Sequence, residues 1–213
     1  MRRPSGAVAS GVRSSSITYI ASSNTAVIAL PAGCAVGDRL VMYLGHSWDV
    51  YAIDGVSPVV NWIRPSGGYL TGSNYNGTLL YRTATSGDVA AGQFTVTFFG
   101  AGAGIIELVA FIGATSGLRD IGATRNGSGA ASRTVTSGAT VAAGDFLLLF
   151  GSAYLATSAS SSSLTSTLQS SSNANASGIC RYGVAGSSGA QSGTVGYGGS
   201  PAGDYQVIVA FAP

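Results

Sequence analysis

The only histidine of this sequence stands in His46-Ser47-Trp48-Asp49, where a base, a hydroxyl and a carboxylate fall within four residues. Those are the types that build a nucleophilic relay, which needs the three side chains converging on one point. His46, however, is expected to close a strand, and neighbouring strand residues point to opposite faces. The spacing therefore predicts a histidine at a strand end, and no relay. Asp49 and Asp54 are the next candidates, as a carboxylate pair for glycoside hydrolysis. Asp54-Gly55 is also a strong turn dipeptide, and the turn is the expected role. With one glutamate and seven aspartates in the whole chain, little else could serve as acid or base. No catalytic residue is expected.

The remaining acids have structural explanations. Asp38 and Asp145 each follow a glycine, Gly37 and Gly144, and each precedes an apolar run. A carboxylate at such a place bonds the nearby backbone in an Asx-type turn. Glu107, inside IIELVAF, is expected to face solvent from an alternating strand, with Gln206 of YQVIVAF as its uncharged counterpart. Cys34 and Cys180 cannot supply a four-ligand thiolate site and are expected to remain free thiols. No DxDxDG run, dinucleotide fingerprint, phosphate loop or nucleophile elbow occurs, so neither metal nor cofactor is expected. Asn76, Asn126 and Asn175 begin glycosylation sequons, and Asn76-Gly77 and Asn126-Gly127 read better as turns.

Aromatic residues are the other chemical signal. Trp48, Tyr51, Trp62, Tyr69 and Tyr75 gather between residues 48 and 75. Exposed rings on loops stack on sugars or anchor protein interfaces; buried ones are core or inter-subunit packing. Both readings stay open for Trp48, Tyr51, Tyr69 and Tyr75, while Trp62, following Val59-Val60, fits a core.

Whatever these residues do, the framework that positions them is poor in charge. Charged residues make up 8% of the chain, against about 25% in an average soluble domain. All ten cations are arginine, and the net charge is +2. Phosphate binding needs clustered cations, so nucleic acid is not an expected partner. Arg2 and Arg3, with Arg13, form a basic arm over residues 1–16 that could touch an acidic neighbour. PSGAVASG after the two arginines is not expected to act as a secretory leader, and production in the host cytoplasm is expected. The apolar runs Ile105–Ile112 and Phe146–Phe150 fall well short of the roughly 20 residues that cross a bilayer, so no membrane association is expected.

The sequence repeats itself. NTAVIALPAGCAVGD (24–38) aligns with ASRTVTSGATVAAGD (131–145), GTLLYRTA (77–84) with GICRYGVA (178–185), and IIELVAF (105–111) with YQVIVAF (205–211). Three blocks in one order indicate a duplication. Short strands are predicted at 17–20, 25–30, 39–46, 59–63, 78–84, 94–99 and 105–112, then at 133–136, 146–153, 163–168, 179–185, 194–197 and 205–211. Glycine-, serine- and asparagine-rich turns separate them. Ser86-Gly87-Asp88 is one such turn, residues 113–131 a flexible connection with Leu118 and Ile121 packing, and 157–177 a mobile serine-rich hairpin or loop. The expected fold is all-β: one jelly-roll-like antiparallel β-sandwich over 17–213, made of pseudo-repeated halves 17–113 and 131–213. Two separate immunoglobulin-sized sandwiches are the alternative.

The order Leu30-Pro31-Ala32-Gly33, Gly37-Asp38-Arg39-Leu40-Val41, Trp62, Tyr81-Arg82-Thr83-Ala84 and Val109-Ala110-Phe111-Ile112-Gly113 resembles a family of phage and prophage virion proteins. The likeness is strongest over residues 17–113. Asn61 stands where the family usually has glycine, and Phe111-Ile112 where it usually has Tyr-Arg. The resemblance implies a minor capsid, head-fibre or tail-associated protein, without catalytic residues. The corresponding expectation is a virion component that decorates or cements the capsid, a homo-oligomer in contact with other virion proteins. The alternative is a tail-associated receptor- or carbohydrate-binding module with a glycan as partner.

Overall fold

The computed structural model describes residues 11–56, 61–70, 75–112, 117–126, 131–164, 166–172, 176–199 and 201–213. Arg2 and Arg3 lie outside them. The protein is an all-β sandwich of antiparallel sheets. Its elements are β1 (Gly11–Ala29), β2 (Arg39–His46), β3 (Val50–Ile53), β4 (Tyr69–Leu70), β5 (Asn76–Thr83), α1 (Ser86–Ala91) and β6 (Gln93–Ile112). There follow β7 (Leu118–Asn126), β8 (Ser132–Thr136), β9 (Phe146–Tyr154), β10 (Ser158–Ser160), β11 (Ser166–Ser172), β12 (Ala176–Val184), β13 (Ser192–Gly198) and β14 (Gly203–Phe211).

The two halves follow one path. The first sheet runs β4-β5-β2-β6-β1, and the second runs β11-β12-β9-β14-β7 in the same order. β1 and β6 are long enough to continue past this sheet, and their far ends pair with each other and with β3 to make a covering layer. In the second half each long strand is divided, so that β8, β13 and β10 form the matching layer as a separate sheet. Register fixes the equivalence: Arg39 pairs with Thr83 and Phe111, and Phe146 with Val184 and Phe211.

Each half encloses its own core. Ile28, Leu40, Met42, Leu80, Phe94, Val96, Phe98 and Leu108 fill the first; Val135, Leu149, Ile179, Val195, Tyr197 and Ile208 fill the second. A further apolar layer joins the halves, built from Val41, Tyr43, Leu79, Val109 and Phe111 against Phe146, Leu148, Phe150, Tyr205, Val207 and Phe211. β2 is therefore buried along its whole length, which explains its continuous apolar sequence.

The joining layer has an approximate two-fold relation. Gly77 and Gly178 are register equivalents, as are Ile105 and Tyr205. Tyr205 sits over Gly77, and Ile105 over Gly178. Near the axis Tyr43 stacks on its equivalent Phe150, with centroids 5.2 Å apart. Phe111 likewise meets its equivalent Phe211 at 5.2 Å. Reciprocal contacts of this kind characterise isologous interfaces, here formed within one chain.

The duplicated Gly-Asp turn is the same in both halves. Asp38 Oδ2 accepts from Ala35 N at 2.7 Å, and Asp145 Oδ2 from Ala142 N at 2.8 Å. Gly37 and Gly144 take φ of 94° and 90° and donate to Ala84 O and Ala185 O. Each carboxylate also meets an arginine from the half's first strand, Arg13 on Asp38 and Arg119 on Asp145. Arg13 thus belongs to β1, which begins inside the stretch read as an arm. Removing a buried acceptor leaves its donors unsatisfied, at about 1–3 kcal/mol. Asp38→Ala and Asp145→Ala should each lose that amount in urea unfolding. Because the turns share no partner, the double variant should lose the sum.

Several elements differ from expectation. Asn61 and Trp62 form a bend, and Ile63 makes only an isolated bridge to Tyr81, so the strand predicted there is absent among the described residues. Trp62 packs in the first core, edge-on to Phe94. The turn predicted at Ser86 is the helix α1, because Thr85 and Asp88 cap each other reciprocally in a capping box. Within 113–131, β7 pairs with β14, and within the serine-rich stretch β11 pairs with β12. Ladder hydrogen bonds use backbone groups, so polar sequences can supply these strands.

Candidate functional site

His46 ends β2 with 1% of its surface exposed. Its ring stacks on Phe98 at 3.9 Å. Nδ1 accepts the Trp48 N–H at 3.0 Å, which places the proton on Nε2, and Nε2 donates to Gly102 O at 3.0 Å. Burial lowers its pKa. Both nitrogens are thus committed to backbone. Asp49 is engaged elsewhere: Oδ1 accepts from Val50 N at 2.7 Å and Thr78 Oγ1 at 3.1 Å, and Arg64 approaches at 3.4 Å. Ser47 Oγ donates to Ala103 O. The three residues do not converge.

Asp54 and Gly55 have φ of 51° and 76°, and Ile53 and Val56 exchange backbone hydrogen bonds across them. Asp54 Oδ1 accepts from Thr95 N at 2.7 Å, which ties this hairpin to β6. Asp54 also lines an open groove of about 590 Å³ with Asn61, Arg82, Thr83, Thr85 and Asp88. Arg82 pairs with Asp88, and its guanidinium lies 4.8 Å from the Trp62 ring. Among the described residues no group of three or more His, Cys, Asp or Glu could hold a metal. Both cysteines are free; Cys180 is buried and Cys34 partly so.

Glu107 corrects the sequence reading. Its side chain is fully buried, on the face of β6 that carries Ile105, Val109 and Phe111 into the joining layer. Among the described residues neither carboxylate oxygen has a hydrogen-bond partner. Burial raises its pKa well above the usual carboxylate range. Pairing register makes Val207 its counterpart: Tyr43 faces Glu107, and the equivalent Phe150 faces Val207. Gln206, also fully buried, matches Ile106 instead. Both residues point inward because β6 and β14 have apolar layers on each side.

The aromatic group divides. Tyr75 is buried, donates to Ser152 Oγ at 3.1 Å and stacks on Tyr154. Tyr69 is half-buried beneath Arg64, whose Cζ lies 4.8 Å from the ring; burial and the neighbouring Asp49 raise the phenol's pKa. Trp48 and Tyr51 are 49% and 46% exposed. Phe99 is 65% exposed, and its ring meets Tyr51 edge-on at 5.1 Å. Phe99 lies outside the aromatic cluster of residues 48–75. Its signal was parity: in a strand whose Phe94, Val96 and Phe98 face inward, Phe99 shares the outward side with Thr95 and Thr97.

Tyr51 and Phe99 form an exposed aromatic pair on the first half, and the exposed Trp48 ring packs over Gly100 of β6. No protein-family model, curated protein or solved structure matches the chain.

Proposed function

We propose that this chain is a structural component of a bacteriophage particle, a capsid decoration, cement or head-fibre protein that works by protein–protein contacts as a homo-oligomer. The observation that carries the reading is the doubled sandwich. Counted along the second half, the strands lie in the order 1-8-3-6, with strand 5 added beside 6, over a layer ordered 2-7-4. The first strand beside the last, over a second layer, supports a jelly-roll reading, and jelly rolls recur in viral capsid and lectin domains. Fold analogy alone does not assign a function. The resemblance at the Pro-Ala-Gly and Gly-Asp turns, Trp62 and Tyr81-Arg82-Thr83-Ala84 points the same way. A surface poor in charge also favours close assembly, since few ions must be desolvated at a contact.

Immunogold labelling of purified particles with an antibody against this chain tests the proposal. Labelling of the shell is the expected result. Label confined to the tail tip would favour the tail-associated receptor-binding alternative, and particles that carry no label would overturn the virion reading altogether.

A further inference from the structure

The groove beside α1 gathers charge in a chain that has little. Of ten arginines and eight acidic residues, Arg82, Asp54 and Asp88 all line it, together with Asn61, Thr83 and Thr85. The duplication supplies an internal control. Thr83 pairs with Arg39, and Val184 with Phe146, so Thr83 corresponds to Val184 and Arg82 to Gly183. Gly37 and Gly144 donate to Ala84 O and Ala185 O, and Leu30 and Ser137 donate to Gly92 O and Gln191 O. Between these fixed points the first half has α1, whereas the second has Gly186-Ser187-Ser188-Gly189-Ala190, without helix or charge. The second half thus builds the same framework from glycine, serine and valine, and the fold does not require the charged residues of the groove.

Part of this lining is fixed in advance. Arg82 pairs with Asp88, and its guanidinium lies 4.8 Å from the Trp62 ring centroid and 5.2 Å from that of Phe94. Asp88 Oδ2 accepts from Thr85 N at 2.8 Å, and Asp88 N donates back to Thr85 Oγ1 at 3.2 Å. Asp88 is buried, while Asp54, Asn61, Thr83 and Thr85 are exposed. Groups held in place before a ligand arrives lose little entropy when it binds. The lining then selects by exclusion. Two carboxylates against one guanidinium disfavour an anion, and a metal ion would meet Arg82 in the same lining. An apolar ligand finds no apolar side chain among the lining residues. A neutral ligand with several hydroxyls fits, because each hydroxyl both donates and accepts. The carboxylates and threonines accept from it, and the Asn61 amide and the guanidinium donate to it. The groove's volume of about 590 Å³ lies within the roughly 300–1,000 Å³ of small-molecule sites.

We propose that this groove binds neutral sugar units, recognised through their hydroxyls by Asp54, Asn61 and Thr83 beside the Arg82–Asp88 pair. The inference goes beyond the virion role and does not depend on it: particle labelling tests that role, and sugar binding tests the groove.

Calorimetric titration of the full chain with maltoheptaose, cellohexaose and chitohexaose tests it, with hexagalacturonate as the anionic counterpart. Saturable binding of at least one neutral oligomer is expected. The three oligomers separate α-glucan, β-glucan and N-acetylglucosamine polymers as the source of the unit. Hexagalacturonate should bind about tenfold more weakly than the neutral oligomer that binds. Asn61→Ala and Thr83→Val remove exposed polar groups and should each weaken binding by about tenfold. Asp54→Asn keeps an acceptor for Thr95 N and tolerates the positive φ of 51°, and should weaken binding comparably. The three positions stand on separate segments, so the test does not hang on one variant, and thermal melts verify that each keeps the fold. No saturable binding up to about 10 mM oligomer would overturn the proposal. So would binding indifferent to all three substitutions, or hexagalacturonate binding as tightly as the neutral oligomers.

Discussion

Glu107→Gln should stabilise the protein at alkaline pH and change little near pH 4.5. In the native state the carboxyl is buried in the joining layer, and desolvation holds it protonated to well above its reference value of 4.5. The unfolded chain ionises at that reference value. Between the two pKa values the native state binds the extra proton, so stability is fully present below the unfolded pKa and is lost as pH rises toward the folded one. The slope is up to about 1.4 kcal/mol per pH unit. His46 acts with the opposite sign. Its folded pKa is depressed below 6.5, so its destabilising effect grows only as pH falls below that value. The two opposing slopes overlap between pH 4.5 and 6.5, and above 6.5 the Glu107 slope acts without that of His46. Urea unfolding of wild type and Glu107→Gln from pH 4.5 to 9 should give curves that meet at the acid end. They should diverge by about 1–4 kcal/mol at the alkaline end. Glu107→Leu, which also removes the buried polar atoms, should follow the same course with a further gain. Parallel curves would show that the carboxyl is solvated.

How much of this was legible in the sequence depends on how many apolar layers a strand touches. Phe94, Val96 and Phe98 have one core and one solvent face, so alternation identified the inward side correctly and, by parity, implied Phe99. β2 and β9 touch two cores, and their unbroken apolar sequence announced buried strands without saying which residues face which layer. Glu107 defeated the same logic: the side of β6 opposite Leu108 and Ala110 looks outward within one half and is interior once the halves meet. β7 and β10 were hidden for another reason, and the strand predicted at 163–168 caught only the start of β11, since pairing of serine, glycine and arginine-rich segments rests on backbone hydrogen bonds that leave no apolar pattern. The repeat itself was readable because Gly37-Asp38 and Gly144-Asp145 do the same work twice. Tyr75 could not be separated from Trp48 and Tyr51, because its partners Ser152 and Tyr154 come from the other half of the chain.

The two-fold relation of the halves gives the other large effect, and it should be asymmetric. Gly77→Ala would put a methyl 1.7 Å from Tyr205 Cδ1 and 1.9 Å from Cγ. Those atoms lie at the root of a ring that cannot swing aside. Tyr205 is fully buried, stacks on Tyr43 at 5.5 Å and donates to Gly68 O at 3.2 Å. Its carbonyl accepts the Tyr43 hydroxyl at 2.7 Å, so moving Tyr205 disturbs Tyr43 as well. A loss of about 3 kcal/mol or more is expected in urea unfolding. The equivalent substitution, Gly178→Ala, meets Ile105 Cδ1 at 2.4 Å, the far end of a side chain that can change rotamer, and should cost about 1 kcal/mol. Replacing Tyr205 by the residue its counterpart carries converts one site into the other. In the Tyr205→Ile background Gly77→Ala should therefore fall to the smaller cost, a coupling of about 2 kcal/mol in a double-mutant cycle. Equal costs at the two glycines would mean that the halves do not meet through this reciprocal pair, and additive costs would mean that Tyr205 is not what Gly77 makes room for.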